Sequence, residues 1–243
     1  MIVSDIWLSN AIINFAERLS AKGVLSMAIG IFIMAAGMSR RFKAESNQHK
    51  LLVSPPLFEE ALLTITYNRV KGAFKGEEIA IITNHAEPEV TALARSLHPQ
   101  ILTIESDGLG ESIGLAAKAL LLADDAPFKA LEGIFILPAD LPYLLTETLI
   151  LLKGYLEKSE HPIIRPLFDH MPGHPVGFKA MLFPELAQLS GDLGAQKLLK
   201  PEMTRNISVF DPGVIWDIDT PEDLLTKPGD HQWYTAPYLR VNR

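Results

Sequence analysis

At 243 residues, 48% hydrophobic and 21% charged, the chain can close a full core by itself, which excludes a mini-protein and wholesale disorder. Its 22 Lys and Arg against 29 Asp and Glu leave a net charge of -7, the wrong sign for neutralising phosphates along a duplex, so no nucleic-acid partner is expected. Cysteine is absent, which removes disulfides, zinc thiolate sites, iron–sulfur ligation and cysteine nucleophiles, and fits a cytoplasmic protein.

Residues 1–26 precede the first expected strand. Asp5 stands where an export signal carries positive charge, and Asn10, Asn14, Glu17 and Arg18 interrupt any apolar stretch, so no signal peptide is expected. Leu8, Ile12, Phe15 and Leu19 fall at helical spacing, which leaves two readings of this N-terminal extension: an amphipathic helix, or a start at Met27. The apolar run from Met27 to Met38 is short of the ~20 residues that span a bilayer, so no membrane partner is expected.

From there short apolar runs alternate with longer amphipathic ones. Strands are expected at 31–36, 79–83, 101–104, 133–137, 162–165, 176–179, 206–210 and 214–218. Helices are expected at 57–70, 87–97, 112–123, 146–158, 181–189 and 195–200, with Thr146 as a cap. Repeated βα units predict one α/β domain over 27–228, a Rossmann-like, mostly parallel sheet with helices on both faces, followed by a tail at 229–243. In such sheets the ligand lies outside the carboxyl ends of the strands, so the chemistry is sought in the loops after them.

Four of those loops stand out. The first runs Ala35, Ala36, Gly37, Met38, Ser39, Arg40, Arg41, with Lys50 further on. Small residues at a strand end let backbone N–H groups approach an anion, Ser39 adds a hydroxyl, and Arg41 and Lys50 neutralise a triphosphate; the bland alternative is a turn with a solvated basic run. The second, Gly108 to Gly114, reads GxGxxxG, and Asp107 and Glu111 within it would repel a pyrophosphate, so a nucleobase contact or an ordinary helix entry fits better than a dinucleotide fingerprint. The third sets Asp140 between Pro138 and Pro142, placed either to hold Mg²⁺ or to cap the next turn. In the fourth, strand alternation would put Asp217 and Asp219 on one face, with Thr220 and Pro221 opening a short helix; Asp219 is the candidate second metal ligand. A lesser cluster, 173–176 with 191–195, offers His174 and Asp192 as candidates for holding a second substrate, His174 being equally able to serve in packing. Pro172 and Gly173 prevent His170 and His174 from forming a helical metal pair.

The segment MAAGMSRRF, followed by HKLL, resembles the signature LAAGxSxRxG…KLL of the MobA-like nucleotidyltransferases, and PADLP, GHPVGF, SGDLGAQKLL and WDIDTPEDL follow in that family's order. The resemblance is closest to the molybdenum cofactor cytidylyltransferases, which carry AAG where the guanylyltransferase branch carries AGG. It implies a Rossmann-like fold, an NTP substrate, Mg²⁺ as cofactor and release of pyrophosphate, with a molybdopterin-type phosphate as acceptor and a molybdoenzyme or its maturation factor as a further partner. Lys43 stands where the family has glycine, and eight residues separate Arg41 from Lys50 instead of about four, which predicts a longer, more mobile phosphate loop.

On this reading Arg41 and Lys50 neutralise the phosphates, and Asp140 and Asp219 hold the metal. Ala35, Ala36, Gly37 and Ser39 contact the nucleotide, with Gly110, Glu111 and Ser112 bordering the base and Glu111 accepting from the cytosine amino group. Two rivals remain. One is a glycosyltransferase using a nucleotide sugar through Asp217 and Asp219; the other is a binding module that carries the pterin cofactor without turnover.

Overall fold

Seven consecutive buried residues, IGIFIMA, form β1 (Ile29–Ala35), a strand that can be apolar on both faces only if helices cover the sheet on both sides. The computed structural model describes residues 27–123 and 130–226; the expected extension at 1–26 and the tail at 229–243 lie outside the described residues. β1 pairs in parallel with β2 (Ile79–Asn84) on one side and β4 (Gly133–Pro138) on the other, and β3 (Ile101–Ile104) lies beyond β2. Past β4 the sheet changes sense. There β7 (Val176–Lys179) runs antiparallel to β4, and β5 (Ile163–Phe168) is antiparallel to β7 and to the two-residue β6 (Met171–Pro172) but parallel to β8 (Thr204–Ser208).

Strand alternation divides the interior into two cores. Ile29, Ile31, Ile33 and Ala35 face α2 (Leu62–Lys71), α3 (Pro88–Leu97) and α5 (Thr146–Lys158), joined by Phe42 of α1 (Arg40–Ser46). Phe32, Met34 and Ala36 face the opposite way, toward α4 (Leu109–Leu122) and the single turn α6 (Phe183–Leu186). The expected architecture is therefore the observed one: a mostly parallel sheet with helices on both faces. Among the described residues no helix is long and apolar enough to cross a membrane.

Several expected elements differ. The helix expected from residue 57 begins at Leu62, because 53–62 closes on itself through Phe58 N–H to Pro55 O at 2.8 Å and Leu62 N–H to Val53 O at 2.9 Å. Thr146 does not cap α5: its hydroxyl donates to Arg69 O at 3.0 Å, Leu145 is the cap residue, and Asp211 accepts from Leu145 N–H at 2.9 Å. The strand expected at 214–218 is absent. Pro212–Ile215 is a 3₁₀ turn, fixed by Gly213 N–H donating to Asp211 at 2.9 Å and by Gly213 packing so tightly that a Cβ would lie 2.3 Å from the Tyr143 backbone. The helices expected at 181–189 and 195–200 shrink to Ala180–Leu182 with α6, and to the 3₁₀ turn Gln196–Leu198. Between them, Gly191 and Gly194 take φ of +68° and +56°, values that end a helix.

Candidate active site

The carboxyl ends of β1 and β4 open into a cleft of about 590 Å³, where ligands of open α/β sheets bind. Ala36 to Arg41 arrive from β1, Asp140 from β4, and Asp217 and Asp219 from the segment after the Pro212–Ile215 turn; Lys50 enters from the 3₁₀ turn Lys50–Leu52. Arg41, Lys50, Asp140 and Asp219, up to 178 positions apart in the numbering of the chain, are thereby brought together at one wall.

Lys50 is the hub. Its Nζ lies 2.6 Å from Asp140 Oδ2 and 2.9 Å from Asp219 Oδ1, and Arg41 holds the other oxygen of Asp219 at 2.8 Å. Lys50 and Asp140 are each only about 15% exposed, so their charges are screened less than surface charges. Burial alone would lower the Lys50 pKa, but Asp140 and Asp219 more than offset it and raise the value above that of an ordinary lysine. Burial likewise opposes ionisation of Asp219, and Lys50 with Arg41 overcomes it, holding the carboxyl below the usual range. Among the described residues no such cation contacts Asp217. Partial desolvation in the cleft, with Asp140 and Asp219 beside it, pushes it up to about 6, although its carboxylate reaches solvent.

Asp140 Oδ1 is buried with no hydrogen-bond partner among the described residues, an acceptor aimed into the site that a cation would satisfy. Hard carboxylate oxygens of Asp140 and Asp219 suit Mg²⁺, and because no three metal-ligating side chains converge among the described residues, water and phosphate oxygens would complete the shell, as Mg²⁺ prefers.

The loop between Arg41 and Lys50, expected to be long and mobile, is helix α1 closed by Asn47 at φ +56°. Lys43, in the place of the family glycine, points to Glu87 as an ion pair and does not line the cleft. Ser39 enters α1 in the left-handed region at φ +53° and accepts from Lys50 N–H at 3.0 Å, so the residue that bends the loop after β1 also fixes the lysine turn. His49 makes the second tie: its Nδ1 accepts from Leu51 N–H at 3.2 Å, which leaves Nε2 protonated to donate to Gly37 O at 3.0 Å. Burial lowers the His49 pKa, favouring that neutral form. Sequence reading missed His49; its only signal is its place immediately before Lys50.

The residues expected to contact the nucleotide differ from expectation at three positions. Ala36, Gly37, Ser39 and Ser112 line the cleft, whereas Ala35 turns into the core and Gly110 and Glu111 are not in the lining. The GxGxxxG glycines lie close against protein backbone: a Cβ would lie 2.6 Å from Gly191 O at Gly108, 2.8 Å from Ser190 O at Gly110 and 2.3 Å from Leu189 O at Gly114. Glu111 accepts from Asp107 N–H at 2.9 Å, closing the first turn of α4, so it is not placed to read a cytosine amino group. Through this glycine strip the 189–194 segment carries Asp192 into the lining, which His174, Gly173 and Val214 also share. His174 Nδ1 is buried without a partner among the described residues, and burial plus nearby Arg165, opposed by Asp140, lowers its pKa to about 4.

No curated protein matches the chain, but solved structures do. Rv0371c from Mycobacterium tuberculosis H37Rv is 26% identical, with a TM-score of 0.66 over 82% of this chain and 96% of that one. A manganese complex of the same protein is 25% identical, with a TM-score of 0.63 over 80% and 95%. A nucleotidyl transferase from Methanothermobacter thermautotroptrophicus shares the fold at 18% identity, with a TM-score of 0.63 over 88% and 99%. Residues 31–207, well over half the sequence, match the MobA-like NTP transferase domain, and the chain belongs to that family.

Proposed function

We propose that the protein transfers a nucleotidyl group from an NTP, CTP in preference to GTP, to a phosphate monoester of the molybdopterin type in the cytoplasm, releasing pyrophosphate. The observation that carries this reading is the chain Arg41–Asp219–Lys50–Asp140 at the carboxyl ends of the central strands, cations and carboxylates joined at 2.6 to 2.9 Å in one cleft. Two cations suit the phosphates and two carboxylates suit Mg²⁺; the manganese complex of Rv0371c supports a divalent cation here.

In this mechanism an acceptor phosphate oxygen attacks the α-phosphorus. The new P–O bond forms as the bond to the β-phosphate bridging oxygen breaks, and the electron pair leaves on pyrophosphate. A phosphate monoester is already anionic at neutral pH, so no general base is needed. The protein contributes alignment and charge. Arg41 and Lys50 neutralise the phosphates, Lys50 most where charge grows on the departing oxygen. Asp140 and Asp219 would hold Mg²⁺, which supplies additional neutralisation of the phosphate oxygens. Ala36, Gly37 and Ser39 border the nucleotide, and His174 and Asp192 the acceptor. At Ala36 the Cβ, where a guanylyltransferase has glycine, narrows the base side and favours the pyrimidine.

The test is pyrophosphate release with each of the four NTPs, with and without molybdopterin and Mg²⁺. CTP should exceed GTP by roughly 10- to 200-fold, the range that shape discrimination alone supplies. Asp140→Ala should lower turnover at least about 100-fold while the protein stays folded. No release from any NTP refutes the reading, and consumption of a nucleotide sugar without pyrophosphate would establish the glycosyltransferase alternative.

A further inference from the structure

Asn84, the last residue of β2, is 1% exposed and does not line the cleft. Its carboxamide Nδ2 donates to Ala36 O at 3.3 Å and to Ser106 O at 2.8 Å, while its Oδ1 accepts from Ala86 N–H at 3.0 Å. A flipped amide would set oxygen against two carbonyls and nitrogen against an N–H, so the bonds fix the orientation. The two carbonyls belong to loops that follow β1 and β3, strands separated by β2 itself. The last register pairs of the sheet here are Ala35 with Thr83 and Asn84 with Ile104. The side chain of Asn84 therefore continues cross-strand bonding one step past the end of the backbone ladder, where the cleft begins.

The network reaches the lining on both sides. Ala36 lines the cleft directly. On the other side Ser112 Oγ donates to Gly108 O at 2.9 Å, which uses its single proton, so Ser106 Oγ must be the donor in the 2.8 Å bond between the two hydroxyls. Gly108 and Ser112 both line the cleft. One buried amide thus links, through backbone and a two-hydroxyl relay, two lining residues carried by different segments, Ala36 and Ser112.

We infer that Asn84 is a positioning residue that sets the width of the base side of the cleft, and through it the preference among nucleobases; this rests on the NTP reading above. Discrimination by shape requires walls that do not yield, since a pocket that relaxes by the size difference between two bases no longer tells them apart. Lys50, Asp140 and Asp219 lie outside this hydrogen-bond network, so its loss should fall on base binding more than on the chemical step.

The experiment compares wild type, Asn84→Ala and Ser106→Ala in steady-state pyrophosphate release with CTP and with GTP. Asn84→Ala should raise KM for CTP about tenfold, leave kcat within about threefold, and reduce the CTP-to-GTP ratio of kcat/KM at least about fivefold, the pattern of lost uniform binding. Ser106→Ala, which removes the hydroxyl relay but keeps the amide, should move both quantities the same way by about two- to threefold, and it carries the test if Asn84→Ala does not fold. A merely structural role would lower the active fraction, reducing kcat for both nucleotides equally with KM and the ratio unchanged. Wild-type turnover with unchanged KM and ratio in every folded variant overturns this inference alone. Wild-type protein that releases no pyrophosphate from any NTP overturns the nucleotidyl-transfer reading and this inference with it.

Discussion

Replacing Lys50 with alanine should destabilise the ligand-free protein in a pH-dependent way that a divalent cation reverses. The ammonium lies 2.6 and 2.9 Å from two carboxylates, and at an effective dielectric of ~20 each contact is worth about 6 kcal/mol before desolvation. Most of that is offset by the cost of taking the three charges out of water. What the substitution leaves behind is the sharper quantity: Asp140, Asp217 and Asp219 beside one another with, among the described residues, exposed Arg41 as the one remaining cation in contact. Breaking a buried pair costs about 3–5 kcal/mol, and because Asp219 is only partly buried we expect about 3 kcal/mol at pH 8, a fall in Tm of about 6–12 °C. In wild type the depressed Asp219 pKa contributes stability that is present above the normal carboxylate value and is lost as pH falls through the depressed one. The raised Lys50 pKa contributes stability present below the normal lysine value and lost only at higher pH. Without Lys50 the carboxylates bind protons more readily when folded, so the deficit should be full at pH 8 and shrink toward pH 5. The assay is Tm from pH 5 to 8.5 in chelator and then in Mg²⁺, which should raise Tm more in the variant than in wild type. A variant within about 2 °C of wild type at pH 8, or a deficit that does not shrink on acidification, would refute the electrostatic account.

Gly114→Ala would place a methyl 2.3 Å from Leu189 O, a clash with backbone that costs about 2–3 kcal/mol in urea unfolding; a smaller loss than about 1 kcal/mol would mean that the 189–194 segment yields. His174, with its pKa lowered to about 4, contributes stability present above the normal histidine value near 6.5 and lost as pH falls toward 4, up to about 3 kcal/mol. His174→Gln should flatten the stability profile between pH 6.5 and 4, and an unchanged slope would show that His174 does not titrate as described. Ala36→Gly should reduce the CTP-to-GTP ratio of kcat/KM by about tenfold, measured as pyrophosphate release; an unchanged ratio would remove the steric basis for base choice.

What the sequence determined by itself was whatever depends on near neighbours in the chain. Continuous apolar runs announced β1 and β4, amphipathic periods announced α3 and α5, and the order of loops placed Arg41 after β1 and Asp140 after β4, whereas Lys50 and Asp219 reach the cleft from segments that follow no strand. Tertiary structure decided everything that turns on a distant partner. GxGxxxG promised close approach, but only the fold shows that the approaching group is the backbone of 189–191. The 214–218 run is apolar enough for a strand, yet Asp211 and the packing of Gly213 on Tyr143 wind its start into a turn. Two lysines follow the loop after β1, and Glu87, 44 residues from Lys43, is what takes Lys43 away and leaves Lys50 to the acids. Periodicity is a local property that the chain carries in its own spacing; the partner of a glycine face or of an ammonium group is chosen in three dimensions, and no local pattern records it.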